Sequence, residues 1–135
     1  PSILDICGAR QLKGIDGRSW KPLLQGKTRG WRKSFLYFYD YEREFPYTPN
    51  VRGVRTADWK YIRYPHGDGS PDRYTAELYH LATDPLEMRN LVDEPAAQAK
   101  LAELRKELER LQRRHGAWPD RMPVDGGIIN ILPKF

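Results

Sequence analysis

Leu101, Leu104, Leu108 and Leu111 recur at spacings of three, four and three. That narrow apolar stripe predicts one long helix packed through a single face. Pro95 suits the first turn, with Asp93 or Glu94 near the N-cap. Gly116 ends the helix after His115, a cation favoured at a helix C-terminus, and Glu109 with Arg113 adds a stabilising i,i+4 pair. The stripe lasts under two heptads, too short for a coiled-coil seam, so it reads as a face laid on a sheet.

Elsewhere the period is that of strands. Residues 34–41 form an aromatic run, expected to be a strand buried on both faces. Residues 51–56 and 59–64 alternate and are joined tightly at Ala57-Asp58, which predicts an antiparallel hairpin. Residues 77–81 are a fourth short strand, and Thr83-Asp84-Pro85 starts a turn. Two stretches, 42–50 with Pro46 and Pro49, and 65–71 rich in Gly, Asp and Pro, read as loops. Residues 1–7 end a helix at Gly8, residues 19–24 are a helical turn closing at Gly26, and residues 27–33 are a basic linker. The fold class is therefore α+β: a four-stranded antiparallel sheet with one long C-terminal helix packed on a face. Residues 1–116 make up this subdomain, with 1–33 as its lead-in. Residues 117–135 are a C-terminal tail, expected through Ile128, Ile129, Ile131 and Leu132 to wrap onto another surface.

Composition narrows the function more than the fold. A chain of 135 residues with 39% hydrophobic and 30% charged residues can bury one modest core. No apolar run approaches the roughly 18 to 20 residues that span a bilayer, so no membrane partner is expected. The opening at Pro1 points to a segment from inside a longer polypeptide, which leaves the compartment open. The single Cys7 excludes an internal disulfide. With no adjacent base it reads as a small buried residue, not a nucleophile. A net charge of +5 suits anionic partners, although the 23 basic residues are spread along the whole chain.

No catalytic constellation emerges. The histidines at 66, 80 and 115 lack metal-ligand spacing, and no His-Glu-x-x-His or paired-cysteine pattern occurs. His80 lies within a strand and His115 at a helix end, both structural places; His66, on a Gly/Asp loop, is the one with freedom to meet a ligand. Gly67 and Gly69 flank Asp68 in a context that opens no helix, and Asp68, Asp72 and Asp84 lack calcium-loop spacing. Catalytic residues, metal ligands and a cofactor are therefore not expected in this segment.

Two stretches remain that composition does not explain. One is Glu77-Leu78-Tyr79-His80-Leu81, then Asp84-Pro85, then Asn90-Leu91; the other is Arg52-Gly53-Val54-Arg55-Thr56, then Trp59-Lys60-Tyr61-Ile62. They resemble, in order, signatures near the C-terminus of type I sulfatases, with His80 standing where the family often has Asp. Weaker matches, residues 1–8 and 17–24, agree in order. The resemblance implies that an N-terminal catalytic domain of the same polypeptide is the main partner and an anionic sulfated compound the substrate. It also implies calcium and a formylglycine for the full-length parent. Cys7 is followed by Gly8-Ala9-Arg10 and is not the formylglycine site. By the same resemblance the loop 44–52 approaches the active site. Its Tyr47, Thr48, Asn50 and Arg52 are then candidate substrate-binding residues. Arg52 either holds a sulfate or carboxylate bidentately or pairs with a carboxylate on the strand surface.

Other readings stay open. A basic sheet bearing Tyr37, Tyr39, Trp59, Tyr61 and Tyr64 suits a non-catalytic module that stacks sugars or bases. Interleaved acidic residues, and no RNP-like or Gly-x-x-Gly signature, argue against specific nucleic acid. Related phosphonate and phosphate ester hydrolases share the architecture, and homo-oligomerisation is undetermined. With an apolar strand that needs cover, the isolated chain should expose apolar surface or self-associate. Dye fluorescence and size-exclusion chromatography test this; a monodisperse monomer without dye binding would count against it.

Overall fold

Five-residue strands do not persist alone, and here four of them share one buried face. The computed structural model describes residues 1–15, 17–40, 50–65 and 76–120. Its strands are β1 Phe35–Tyr39, β2 Val51–Arg55, β3 Trp59–Arg63 and β4 Ala76–His80. They lie in the order β1-β2-β3-β4, every neighbouring pair antiparallel. Helix α3, Gln98–Arg114, is led in by a 3-10 turn at Pro95–Ala97 and packs on the sheet. The expected α+β fold is the one observed. Two short helices, α1 Ser2–Ile6 and α2 Lys21–Leu24, precede the strands.

The register explains the core. Leu36, Val54, Tyr61 and Leu78 stand opposite one another in sequence, one from each strand. Val54, Tyr61 and Leu78 are buried, and Leu36 packs against them. Leu101, Leu104, Leu108 and Leu111 of α3 bury the same cluster from above. Alternation sends Arg55 to the opposite, exposed face, as the hairpin pattern requires. The hairpin closes where the Thr56 N–H donates to the Trp59 carbonyl (2.9 Å) and the Trp59 N–H to the Thr56 hydroxyl (3.0 Å).

The helix ends follow the glycines. Gly8 and Gly116 both take a left-handed backbone, φ 67 and 71. The following N–H groups, of Ala9 and Ala117, then reach back to Leu4 O (2.7 Å) and Gln112 O (2.8 Å). Each satisfies a carbonyl the helix would otherwise leave open. At the other end of α3, Glu94 is the N-cap of the 3-10 turn by position, without a side-chain hydrogen bond. The Gln98 amide donates to Val92 O and Glu94 O instead.

Three expectations need correction. Strand β1 is not buried on both faces: Phe35 and Tyr37 are 44% and 54% exposed. It is an edge strand, and Leu36, on its α3 side, is the β1 residue that packs against the core among the described residues. Cys7 is exposed, not buried, because α1 is a five-residue helix whose Ile3 and Ile6 also face outward. Asn90 serves β4. Its side-chain oxygen accepts from Leu78 N–H (2.9 Å) and Val92 N–H (3.1 Å), and Leu91 N–H donates to Leu78 O (2.8 Å). The turn therefore supplies the partners that a free sheet edge lacks. The fourth strand also begins one residue earlier than expected, at Ala76. The loop expectations at 42–49 and 66–71, and most of the tail, lie outside the described residues.

The chain divides into two units, Pro1–Arg32 and Lys33–Phe135. The first holds seven Lys or Arg against two Asp, so +5, which is the whole net charge of the chain. Ser2 is its one buried residue among those described, bonded to Trp20 N–H. The core lies wholly in the second unit.

Leu104, 1% exposed beneath the helix, carries the sheet-to-helix packing. Leu104→Ala should cost about 2–5 kcal/mol in urea unfolding, whereas exposed Arg55→Ala should stay within about 0.5 kcal/mol. Equal effects would contradict this placement of the core.

Candidate functional site

Arg52 shares the helix-facing side of β2 with Val54, two residues on, and is itself 0% exposed. A buried guanidinium is costly unless its charge and its five N–H groups are all met. Here they are. Nε donates to Asp120 (2.9 Å), and one terminal nitrogen to Asp120 (3.1 Å) and Asp40 (2.6 Å). The other terminal nitrogen donates to the carbonyls of Tyr39 (2.7 Å) and Val51 (3.1 Å). The group also lies 3.5 Å from the Phe38 ring centroid. Arg63 is its partner in register, so a second cation stands on the next strand and adds to the need for carboxylates.

The candidate substrate residues are thus distributed unevenly. Arg52 is paired with two carboxylates at the closed end of the β1–β2 connection. Asn50 is buried beside it in the chain, and Tyr47 and Thr48 lie outside the described residues. Sequence reasoning missed Asp40 and Asp120. Asp40 carried a weak signal, a lone acid directly after an aromatic strand. Asp120 carried none, because it stands 68 residues from Arg52.

The second signature is a structural knot. Asp84 accepts from Met88 N–H (3.0 Å) and Arg89 N–H (2.9 Å), bonds that hold its carboxyl below the usual range. Glu87, in the same turn, takes a left-handed backbone (φ 57) and pairs with Lys60 of β3. The Tyr79 hydroxyl donates to Glu77 (2.9 Å), which also accepts from the Tyr64 hydroxyl (2.8 Å). His80 stacks on Trp59, directly opposite in register, with ring centroids 4.2 Å apart, and its Nδ1 meets the Thr83 hydroxyl at 2.9 Å. These contacts match the structural place expected for it. His66 lies outside the described residues.

A cavity of about 430 Å³ opens between β3 and the C-terminal half of α3, lined by Arg63, Tyr64, Arg105, Glu109, Gln112 and Trp118 among others. Among the described residues no three His, Cys, Asp or Glu side chains gather as a metal site, and no helix is long and apolar enough to cross a membrane.

Residues 1–114 match the family described as N-sulphoglucosamine sulphohydrolase, C-terminal. The chain is 35% identical over 121 residues to an N-acetylglucosamine-6-O-sulfatase of Bacteroides thetaiotaomicron, covering 85% of this chain and 20% of that protein. It resembles a solved complex of a protein with its substrate D-glucosamine-2-N,6-O-disulfate, at TM-score 0.71 and 29% identity, over 93% of this chain and 25% of that one. It also shares its fold with a phosphonate monoester hydrolase of Agrobacterium radiobacter, at TM-score 0.60 and 23% identity, over 85% of this chain and 24% of that one. The chain thus spans about a fifth of the curated relative it matches.

Burial first, then the nearby carboxylates of Glu77, Glu87 and Asp84, push the Tyr79 phenol up to about 12. The unfolded phenol ionises near pH 10, so its stabilising effect is complete below pH ~10 and is lost as pH rises to ~12. Melting temperature against pH, with phenolate absorbance, should show this alkaline loss in the wild type and a smaller one in Tyr79→Phe. Equal alkaline limbs would contradict it.

Proposed function

The chain belongs to the N-sulphoglucosamine sulphohydrolase C-terminal family, a C-terminal sulfatase domain, and on that basis we propose that it completes a larger enzyme that hydrolyses sulfate esters of sugars. In this reading the loop 44–52 forms one wall of the substrate cleft. Tyr47 and Thr48 supply hydroxyl groups suited to a sulfated sugar, and Asn50 is buried at the root of the loop. Arg52, its donors taken by protein groups, belongs to that wall through its hold on the strands at either side.

Formylglycine and calcium are assigned to the part of the polypeptide outside this chain, where they would supply the nucleophile and charge neutralisation for sulfate. The absence here of a Cys-x-Pro-x-Arg run supports that assignment.

The observation that carries the dependence on a larger protein is the open surface. Phe35 and Tyr37 stand on the sheet face away from α3, 44% and 54% exposed. The unit Pro1–Arg32 separately exposes Ile3, Leu12, Trp20 and Leu24 alongside its +5 charge. Large apolar side chains left exposed on each unit by itself suit an interface. The basic unit suits an acidic apolar partner surface, which we assign to the catalytic domain. The +5 also favours an anionic substrate.

The full-length parent and this chain alone should be assayed together, with calcium, on an aryl sulfate and on matched aryl phosphate and phosphonate esters. Sulfate ester hydrolysis in the parent only is expected. Activity in the isolated chain would overturn the dependent-domain reading. Preference for the phosphorus esters would favour the hydrolase class whose fold this chain shares.

A further inference from the structure

We propose that the cavity between β3 and the C-terminal half of α3 is a binding site for a sulfated sugar unit. Its volume of about 430 Å³ is within the ~300–1,000 Å³ range of small-molecule sites. The walls come from two regular elements and the residue beyond them. Tyr61 and Arg63 stand two residues apart on β3, so alternation turns both toward α3. Arg105, Leu108, Glu109 and Gln112 fall at spacings of three, one and three, which is a single face of the helix. Trp118 adds an aromatic wall past the helix end.

Charge decides the sign of the ligand. Glu109 is committed to Arg113 through bonds of 2.9 and 2.7 Å. Among the described residues no carboxylate pairs with Arg63 or Arg105, so two guanidinium groups line the cavity with their charge unmet. Such groups hold oxyanions through a planar fork of donors. A third donor is also unmet. Gln112 is only 2% exposed, and its Nε2 has no hydrogen-bond partner among the described residues. A buried donor left unmet opposes folding, and an oxygen-rich ligand relieves it. A sulfate ester carries more acceptor oxygens than a carboxylate and so suits this set of donors. Tyr64 and Trp118, both half-buried, add aromatic surface for the C–H face of a sugar ring. The choice of a sugar over other anions rests on the reading of the parent given above, whereas the anion site rests on the arginines and Gln112 alone.

The test uses the full-length parent and a sulfated disaccharide. Bound ligand should slow phenylglyoxal modification of Arg63 and Arg105 several-fold, read by mass spectrometry, and leave exposed Arg114 unchanged. Equal protection of all three, or protection of none, would overturn the proposal. So would resistance of Arg63 and Arg105 to the reagent without ligand, because the rest of the polypeptide would then cover the cavity. Calorimetry gives a second readout. Arg105→Gln should weaken Kd about tenfold, the loss of one charge-assisted contact. Lys106→Gln, the same loss of charge one residue on, should stay within about twofold. Equal weakening in both would mean general charge attraction and would overturn the site. Sodium sulfate protecting as well as the disaccharide at equal concentration would overturn the sugar. If the parent hydrolyses no sulfate ester, the sulfatase reading fails by itself, and the modification pattern still decides the site.

Discussion

The four leucines of α3 bury one row of side chains that runs across all four strands, and the sheet depends on that burial. Strands of five residues gain little from backbone pairing alone, so the apolar row beneath the helix decides whether they form. The strand side chains buried on that face are apolar, like Val54 and Leu78, or neutralised, like Arg52. The opposite face carries no such requirement, and there the side chains are aromatic or charged and partly open to solvent.

Arg52 occupies a place where the covered face runs out. A charge at this position is tolerated because two carboxylates and two carbonyls converge on it, and their geometry joins three parts of the chain distant in sequence. Breaking such a pair from one side leaves a buried charge, which makes the arrangement close to all-or-none. The turn after β4 works on a similar principle with neutral groups. Asn90 gives a strand edge the hydrogen bonds another strand would have provided, and Asp84 and Glu87 tie that turn to its own backbone and to Lys60. The second family signature is thus a stabilising element, while Arg52 of the first joins the strand ends on either side of the β1–β2 connection.

Much of the fold was legible in the chain itself. The leucine spacing marked α3, alternation marked the hairpin, and glycines at 8, 26 and 116 marked helix ends, because each depends on interactions within a few residues. The aromatic run of β1 was read as a strand but given the wrong surroundings. An apolar residue pattern reports that cover is wanted, not which polypeptide provides it. Cys7 was misplaced for the same reason: its helix is apolar, yet the described residues leave it exposed.

The sequence by itself determined the α+β class, the strand pairing of the hairpin and the family, since periodicity and local turn chemistry are properties of neighbouring residues. Only the tertiary structure decided which carboxylates neutralise Arg52, that Asn90 guards the edge of β4, and that β1 shows one face to solvent. Each of these depends on groups brought together across the chain, up to 68 residues apart for Arg52 and Asp120. No local pattern encodes such a meeting, because the free energy that selects it comes from burying a charge in a core that must already exist.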